Sequence, residues 1–221
     1  MRLITFGCSW TFGCGVDEED TFRSLLTERL GFLENINHAV KGSSNQKQER
    51  LATEFFTRDN IREGDVVLWG ITSTARDEVY LNTREDYYNF LFHQPMRVKH
   101  GLDALEYSDQ FYNQKNQLQR LAHVMNHWNL FFESHGIKNM WFNTFNTYIL
   151  PQRVDRFMVR DLLTQLTHPE LYDEHDSVYK VDGKRISEAK RKGMLNKTLH
   201  PTKETHGKIA DILEKNLRGV F

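Results

Sequence analysis

Cysteine is almost absent from these 221 residues, which hold only Cys8 and Cys14. Two thiols six positions apart in a glycine-rich loop exclude a disulfide-stapled scaffold. They are also too few for a zinc cage by themselves, so the expectation is reduced thiols and no metal. Proline is scarce, at 4 residues, and no Gly/Ser-rich linker, repeat or low-complexity run marks a boundary. The expectation is one domain over residues 1–221. Excess charge of either sign is missing as well. The 29 basic and 30 acidic residues leave a formal net charge of -1, which gives no electrostatic reason for a nucleic-acid or anionic-membrane partner. No run approaches the ~20 apolar residues of a membrane span. The stretch from Met1 to Gly7 is too short for the core of a signal peptide, so the expected location is cytoplasmic. What the chain does have is 39% hydrophobic and 12% aromatic residues. That suffices for a buried core and excludes wholesale disorder.

Apolar patterning predicts alternating strands and helices. Leu3 to Phe6 reads as a buried strand stopped by Gly7. Phe22, Leu25, Leu26 and Leu30 recur at helical spacing before Gly31. Ile36 to Val40 reads as a second strand, followed by a helix with Leu51 and Phe55 on one face. Asp65 to Trp69, ending at Gly70, is the clearest strand. Leu118, Leu121, Ala122, Met125, Trp128 and Phe132 form the stripe of a long helix closed by Gly136. Asn139 to Asn143 follows as a fourth strand, Phe157, Met158 and Leu162 suggest a helix, and Ile209, Ile212, Leu213 and Leu217 a last one. Residues 80–110 read as an insertion or lid-like segment. Strict alternation predicts an α/β protein with a mainly parallel sheet covered on both faces. In such sheets ligands bind beyond the carboxyl ends of the strands.

That rule selects four loops. Gly7-Cys8-Ser9-Trp10-Thr11-Phe12-Gly13 places a serine just past a strand; taken alone, it reads first as a turn serine capping the next helix. The second loop holds Gly42, whose N–H no side chain obstructs, then Ser43, Ser44 and Asn45. The two serines read as helix caps and Asn45 as a cap or a ligand to substrate. Gly70 to Arg76 is rich in hydroxyls. Thr72 is a candidate donor there, with Ser73 or Thr74 as a helix cap and Arg76 bound to a carboxylate of substrate or protein. His200, followed by Pro201 and the last helix, is a candidate base with an ordinary pKa of ~6.5.

Taken in order, the four loops resemble the signature blocks of SGNH (GDSL-like) hydrolases. Gly7-Cys8-Ser9-Trp10-Thr11 with Gly13 resembles the first block, and Asn37 to Gly42 the second. Leu68-Trp69-Gly70-Ile71-Thr72 with Arg76 resembles the third, and His200-Pro201 with His206 the last. The resemblance implies a flavodoxin-like three-layer α/β/α sandwich and ester hydrolysis without a cofactor. Ser9 is then the nucleophile and His200 its base. The oxyanion is held by the N–H groups of Ser9 and Gly42 and by the side chain of Thr72, with Asn45 and Arg76 as substrate contacts. The expected partner is a small-molecule or carbohydrate ester, such as an acetylated sugar, on which Tyr87, Tyr88, Phe90 and Phe92 would stack.

Three positions depart from the pattern. Cys8 replaces an aspartate and Thr72 an asparagine. Lys197 stands three residues before His200, where the family carries its acid. Either a backbone carbonyl, Asn196 or a distant carboxylate such as Asp182 replaces that acid, or the domain is catalytically weak. The weak reading makes it a carbohydrate-binding or virion-associated component. A third idea, Cys8 as a thiol nucleophile, requires Cys8 to point where Ser9 does.

Overall fold

Strand β1 (Arg2–Phe6) is buried along its whole length, as its apolar sequence requires of a strand covered on both faces. The protein is described here by a computed structural model covering residues 1–57, 60–81, 86–91, 113–144, 158–159, 162, 166 and 183–219. Around β1 lie β2 (Glu34–Asn37) and β3 (Val66–Ile71), then β6 (Lys138–Asn143) and β7 (Met158–Val159). The spatial order is β2-β1-β3-β6-β7, and every pairing is parallel. Counted within the sheet, this is the 2-1-3-4-5 order of flavodoxin-like folds. The expected α/β fold is therefore present.

Side chains alternate across the sheet with a period of two. Ile4, Phe6, Val67, Trp69, Ile71 and Trp141 pack on one face against α3 (Asn45–Phe56) and α4 (Gln114–Ser134). Leu3, Val66, Leu68, Met140 and Phe142 pack on the other, against α2 (Phe22–Leu30) and α6 (Lys203–Arg218). The stripe from Leu118 to Phe132 lies within α4, and Ile209 to Leu217 within α6, as their spacing predicts. No described helix is long and apolar enough to cross a membrane.

Four boundaries differ from the sequence reading. The second strand lies at Glu34–Asn37 rather than Ile36–Val40. It is a half-buried edge strand, so it needs no apolar run; beyond it His38 bonds to Thr5 of β1, and Val40 to Gly7 just past β1, from a loop. Gly70 does not end β3 but lies inside it. A Cβ there would stand 2.6 Å from Thr11 Oγ1 and 2.8 Å from the Phe142 ring, so this glycine marks a close approach. Residues 73–75 do not cap a helix; they turn into an antiparallel hairpin of β4 (Arg76–Leu81) and β5 (Asp86–Leu91). Of the segment read as an insertion, residues 80, 81 and 86–91 belong to this hairpin; residues 82–85 and 92–110 lie outside the described residues. Met158, read as helical, belongs to β7, because a short apolar run fits either period. Leu162 is helical and buried, and Phe157 lies outside the described residues.

His206 shows how tightly this scaffold is closed. It lies in the first turns of α6, fully buried and stacked on Phe22, 5.8 Å between centroids. Its Nδ1 accepts the Phe22 N–H at 3.3 Å, so the proton sits on Nε2, which no described residue accepts. Burial, and then the Arg23 charge, lower its pKa to about 4. The unfolded chain therefore takes up a proton below pH ~6.5 that the native imidazole refuses, and stability is lost as pH falls from ~6.5 toward about 4, by about 3 kcal/mol in total. Melting temperatures recorded between pH 7 and 4.5 are expected to fall less steeply in His206→Asn, whose amide oxygen replaces the Nδ1 acceptor. Equal slopes would show that His206 does not carry the effect.

Candidate active site

The carboxyl ends of β1 and β3 meet under a single side chain. A Cβ on Gly7 would stand 2.1 Å from Thr11 Oγ1, as one on Gly70 would at 2.6 Å. The two glycines therefore let α1 (Ser9–Phe12) fold back over the sheet edge. This helix has one turn, and Gly13 ends it at φ 87 in the left-handed region. So short a helix has almost no stability of its own. Its last carbonyls are held by Arg23, a fully buried cation. Arg23 donates from Nε to Thr11 O at 2.8 Å and from Nη2 to Phe12 O at 3.0 Å. It also forms a two-pronged pair with Glu18, both contacts at 2.8 Å. Sequence reading missed Arg23, which sits on an otherwise apolar helix stripe; its only signal was an arginine beside Phe22 at a helix start.

Within this turn the two candidate nucleophiles separate. Cys8 is fully buried, in a small cluster with Trp10, Leu195 and Ala189 of α5 (Gly183–Arg191). Ser9 is half-buried, and its hydroxyl bonds to no described residue. Its N–H opens α1 and has no intrahelical partner. The two thiols are unbridged.

The second loop is tied to the same edge. Val40 N–H donates to Gly7 O at 3.0 Å, and Ser43 N–H closes a turn onto Val40 O at 3.1 Å. Asn37 Oδ1 accepts from Ala39 N at 2.9 Å. Gly42, at φ 71, is exposed, with nothing within 4 Å of a would-be Cβ. Its glycine is required by backbone handedness, and its N–H bonds to no described residue. Ser44 caps α3 by accepting from Lys47 N at 3.1 Å.

Asn45 bridges this loop to the third. Its Nδ2 donates to Thr72 O at 3.1 Å, and its Oδ1 accepts Thr72 N–H at 3.0 Å. Thr72 is fully buried, and its Oγ1 accepts from Arg76 Nη1 at 3.1 Å. Asn45 thus uses both ends of its amide on the chain, and Arg76 is braced on Thr72. Asn143 and Thr144, at the carboxyl end of β6, are also fully buried, and Thr144 N–H bonds to Ile71 O at 3.2 Å.

The fourth loop reaches the first through Trp10, whose Nε1 donates to Leu199 O at 3.1 Å. One hydrogen bond thus joins the residue after Ser9 to the residue before His200. Leu199 holds φ at 63, a conformation that costs a non-glycine residue about 1–3 kcal/mol and clusters at functional sites. His200 is half-buried. Burial, then the Lys41 and Arg76 charges, lower its pKa below the ordinary histidine value, which also sets those two cations within electrostatic reach of it. Its Nδ1 lies 2.9 Å from Thr198 Oγ1, and Nε2 bonds to no described residue. No carboxylate among the described residues bonds to His200; Asp182 lies outside them. Of the aromatic residues expected to stack on a sugar, only Tyr87 has a described side chain. It is exposed, with the Arg50 guanidinium 4.2 Å from its ring centroid.

No family model matches this sequence, and no curated protein does. Solved structures match in fold. One is TesA, 13% identical over 100% of both chains with a TM-score of 0.50. Another is a G-D-S-L family protein of Desulfitobacterium hafniense DCB-2, 11% identical over 97% of this chain and 98% of that one, with a TM-score of 0.52. The chain has an SGNH hydrolase-like, flavodoxin-like α/β/α fold. At these identities the likeness is one of fold.

The clamp on α1 generates a prediction. Arg23→Met removes the donors of two buried carbonyls and a charged pair, and is expected to lower unfolding free energy by about 2–4 kcal/mol in urea titration. Most of this comes from the carbonyls, because Glu18 is largely exposed and regains water. A change below about 0.5 kcal/mol, the range of ordinary surface substitutions, would contradict the clamp.

Proposed function

We propose that this protein is a serine esterase that hydrolyses small O-acyl esters, acetyl groups on carbohydrate among them, through an acyl-enzyme on Ser9. The observation that carries this reading is the Trp10–Leu199 hydrogen bond, which brings the Ser9 turn and the His200 loop to the same sheet edge. The N–H groups of Ser9 and Gly42, which bond to no described residue, support it. Ser9 Oγ attacks the acyl carbon as its proton passes to His200 Nε2. The carbonyl oxygen gains the negative charge and is met by the Ser9 and Gly42 N–H groups, with the Thr72 hydroxyl as a third donor. His200 then returns the proton to the departing alcohol, and water releases the acyl group by the same steps in reverse. Burial, and then the Lys41 and Arg76 charges, favour a neutral imidazole, the form a base needs. No hydrogen bond joins Ser9 to His200 here, and catalytic contacts of this kind often tighten only in the Michaelis complex. Arg76 and Asn45 shape the floor of the substrate site, and metal or cofactor has no part in this scheme.

A second reading, a binding domain of little or no activity, is favoured by one observation: the group bonded to His200 Nδ1 is neutral. Hydrolysis of a small acetyl ester separates the two. Wild type is expected to turn over, with a rate that rises with pH through a midpoint below ~6.5 and is level at neutral pH. Ser9→Ala and His200→Ala are each expected to fall to background with melting temperatures near wild type, since nucleophile and base act as a unit. Full activity in Ser9→Ala would remove the assignment. A folded but inactive wild type would establish the binding reading.

A further inference from the structure

The turn Asn196–His200 is knit by side-chain hydrogen bonds around the imidazole. Asn196 Oδ1 accepts three hydrogen bonds: from Thr198 N at 2.9 Å, from His200 N at 3.1 Å and from Thr198 Oγ1 at 2.7 Å. Two of these donors are backbone N–H groups, which fixes the amide with its oxygen inward. An amide oxygen accepts only, so the single hydroxyl proton of Thr198 points to Asn196. Thr198 Oγ1 then has only lone pairs left for His200 Nδ1, 2.9 Å away. Nδ1 must therefore carry the proton, and Nε2 is left with its lone pair.

We propose that Thr198, backed by Asn196, is the positioning residue for His200, a neutral relay in place of a carboxylate; this rests on the reading of His200 as the base. The relay holds the imidazole in the tautomer whose Nε2 accepts the Ser9 proton. In that step the Ser9 O–H bond breaks as Oγ bonds the acyl carbon, and the proton joins Nε2. The Nδ1 proton stays on Nδ1, and no proton passes to Thr198. The turn is braced for the task. Asn196 N–H bonds to His200 O at 2.8 Å and Leu199 N–H to Asn196 O at 3.1 Å. Gly15, at φ 94, leaves room for the Asn196 amide, which a Cβ there would approach to 2.3 Å. A dipole stabilises the imidazolium less than a carboxylate does, so the enzyme is expected to be slow for its fold.

Thr198→Val keeps the shape and removes the hydroxyl. Because a hydrogen bond to a group that becomes charged is at stake, kcat is expected to fall about 10–100-fold with KM little changed. Thr198→Ser is expected to restore most of it. A readout independent of turnover is the tautomer of His200, read from its ring ¹⁵N shifts above pH 7.5. Wild type and Thr198→Ser should be Nδ1–H, and Thr198→Val should show the Nε2–H form. That pattern in a protein without Ser9-dependent hydrolysis would uphold the relay and remove the esterase reading. A wild-type Nε2–H imidazole, or a tautomer or kcat indifferent to Thr198→Val, with Ser9-dependent hydrolysis intact, would overturn the relay alone.

Discussion

A buried guanidinium holds the candidate site together. Arg23 is without solvent contact, and it binds the two carbonyls that end α1. Four residues of helix cannot stand by themselves in water, yet α1 must stay wound for Ser9 to remain at the end of β1. Arg23 provides the donors that solvent would otherwise supply, and Glu18 balances its charge from the surface side. From this anchor the other parts follow. Thr11 is pressed between Gly7 and Gly70, Trp10 turns toward the fourth loop, and its indole N–H fixes the strained Leu199.

The sheet explains why the four loops meet. All described strands of the main sheet are parallel, so the loops after β1, β2 and β3 emerge on one edge, and the Trp10–Leu199 hydrogen bond brings the His200 loop to it. Asn45 then joins the second loop to the third, and Thr72 joins Arg76 to both. The cations Lys41 and Arg76 lie within electrostatic reach of His200. Burial first, and then these two charges, lower the pKa of His200.

Much of this was legible in the sequence, and the reasons are physical. Fully buried strands such as Val66–Ile71 leave continuous apolar runs, and long helices such as Gln114–Ser134 leave a periodic stripe. Edge elements leave neither. β2 is half solvated, so its start at Glu34 carried no signal, and two-residue β7 was indistinguishable from helix at Met158. Gly70 looked like punctuation because a sequence does not show what lies across the sheet from a glycine. The position of Ser9 and His200 at loop ends could be read from order and spacing. Asn196 could be read only as one of several substitutes for the missing acid, and Arg23 and Thr198 not at all, because their partners are fixed by tertiary approach or by a turn whose shape Leu199 alone makes unusual.

The central claim is that Ser9 carries an activated hydroxyl, and covalent labelling tests it without any need to know the substrate. A fluorophosphonate probe should modify the folded wild-type protein, with the added mass on the peptide that contains Ser9. His200→Ala should abolish the adduct while leaving the fold intact. A well-folded wild type that stays unlabelled, or an adduct on another residue, would contradict the account.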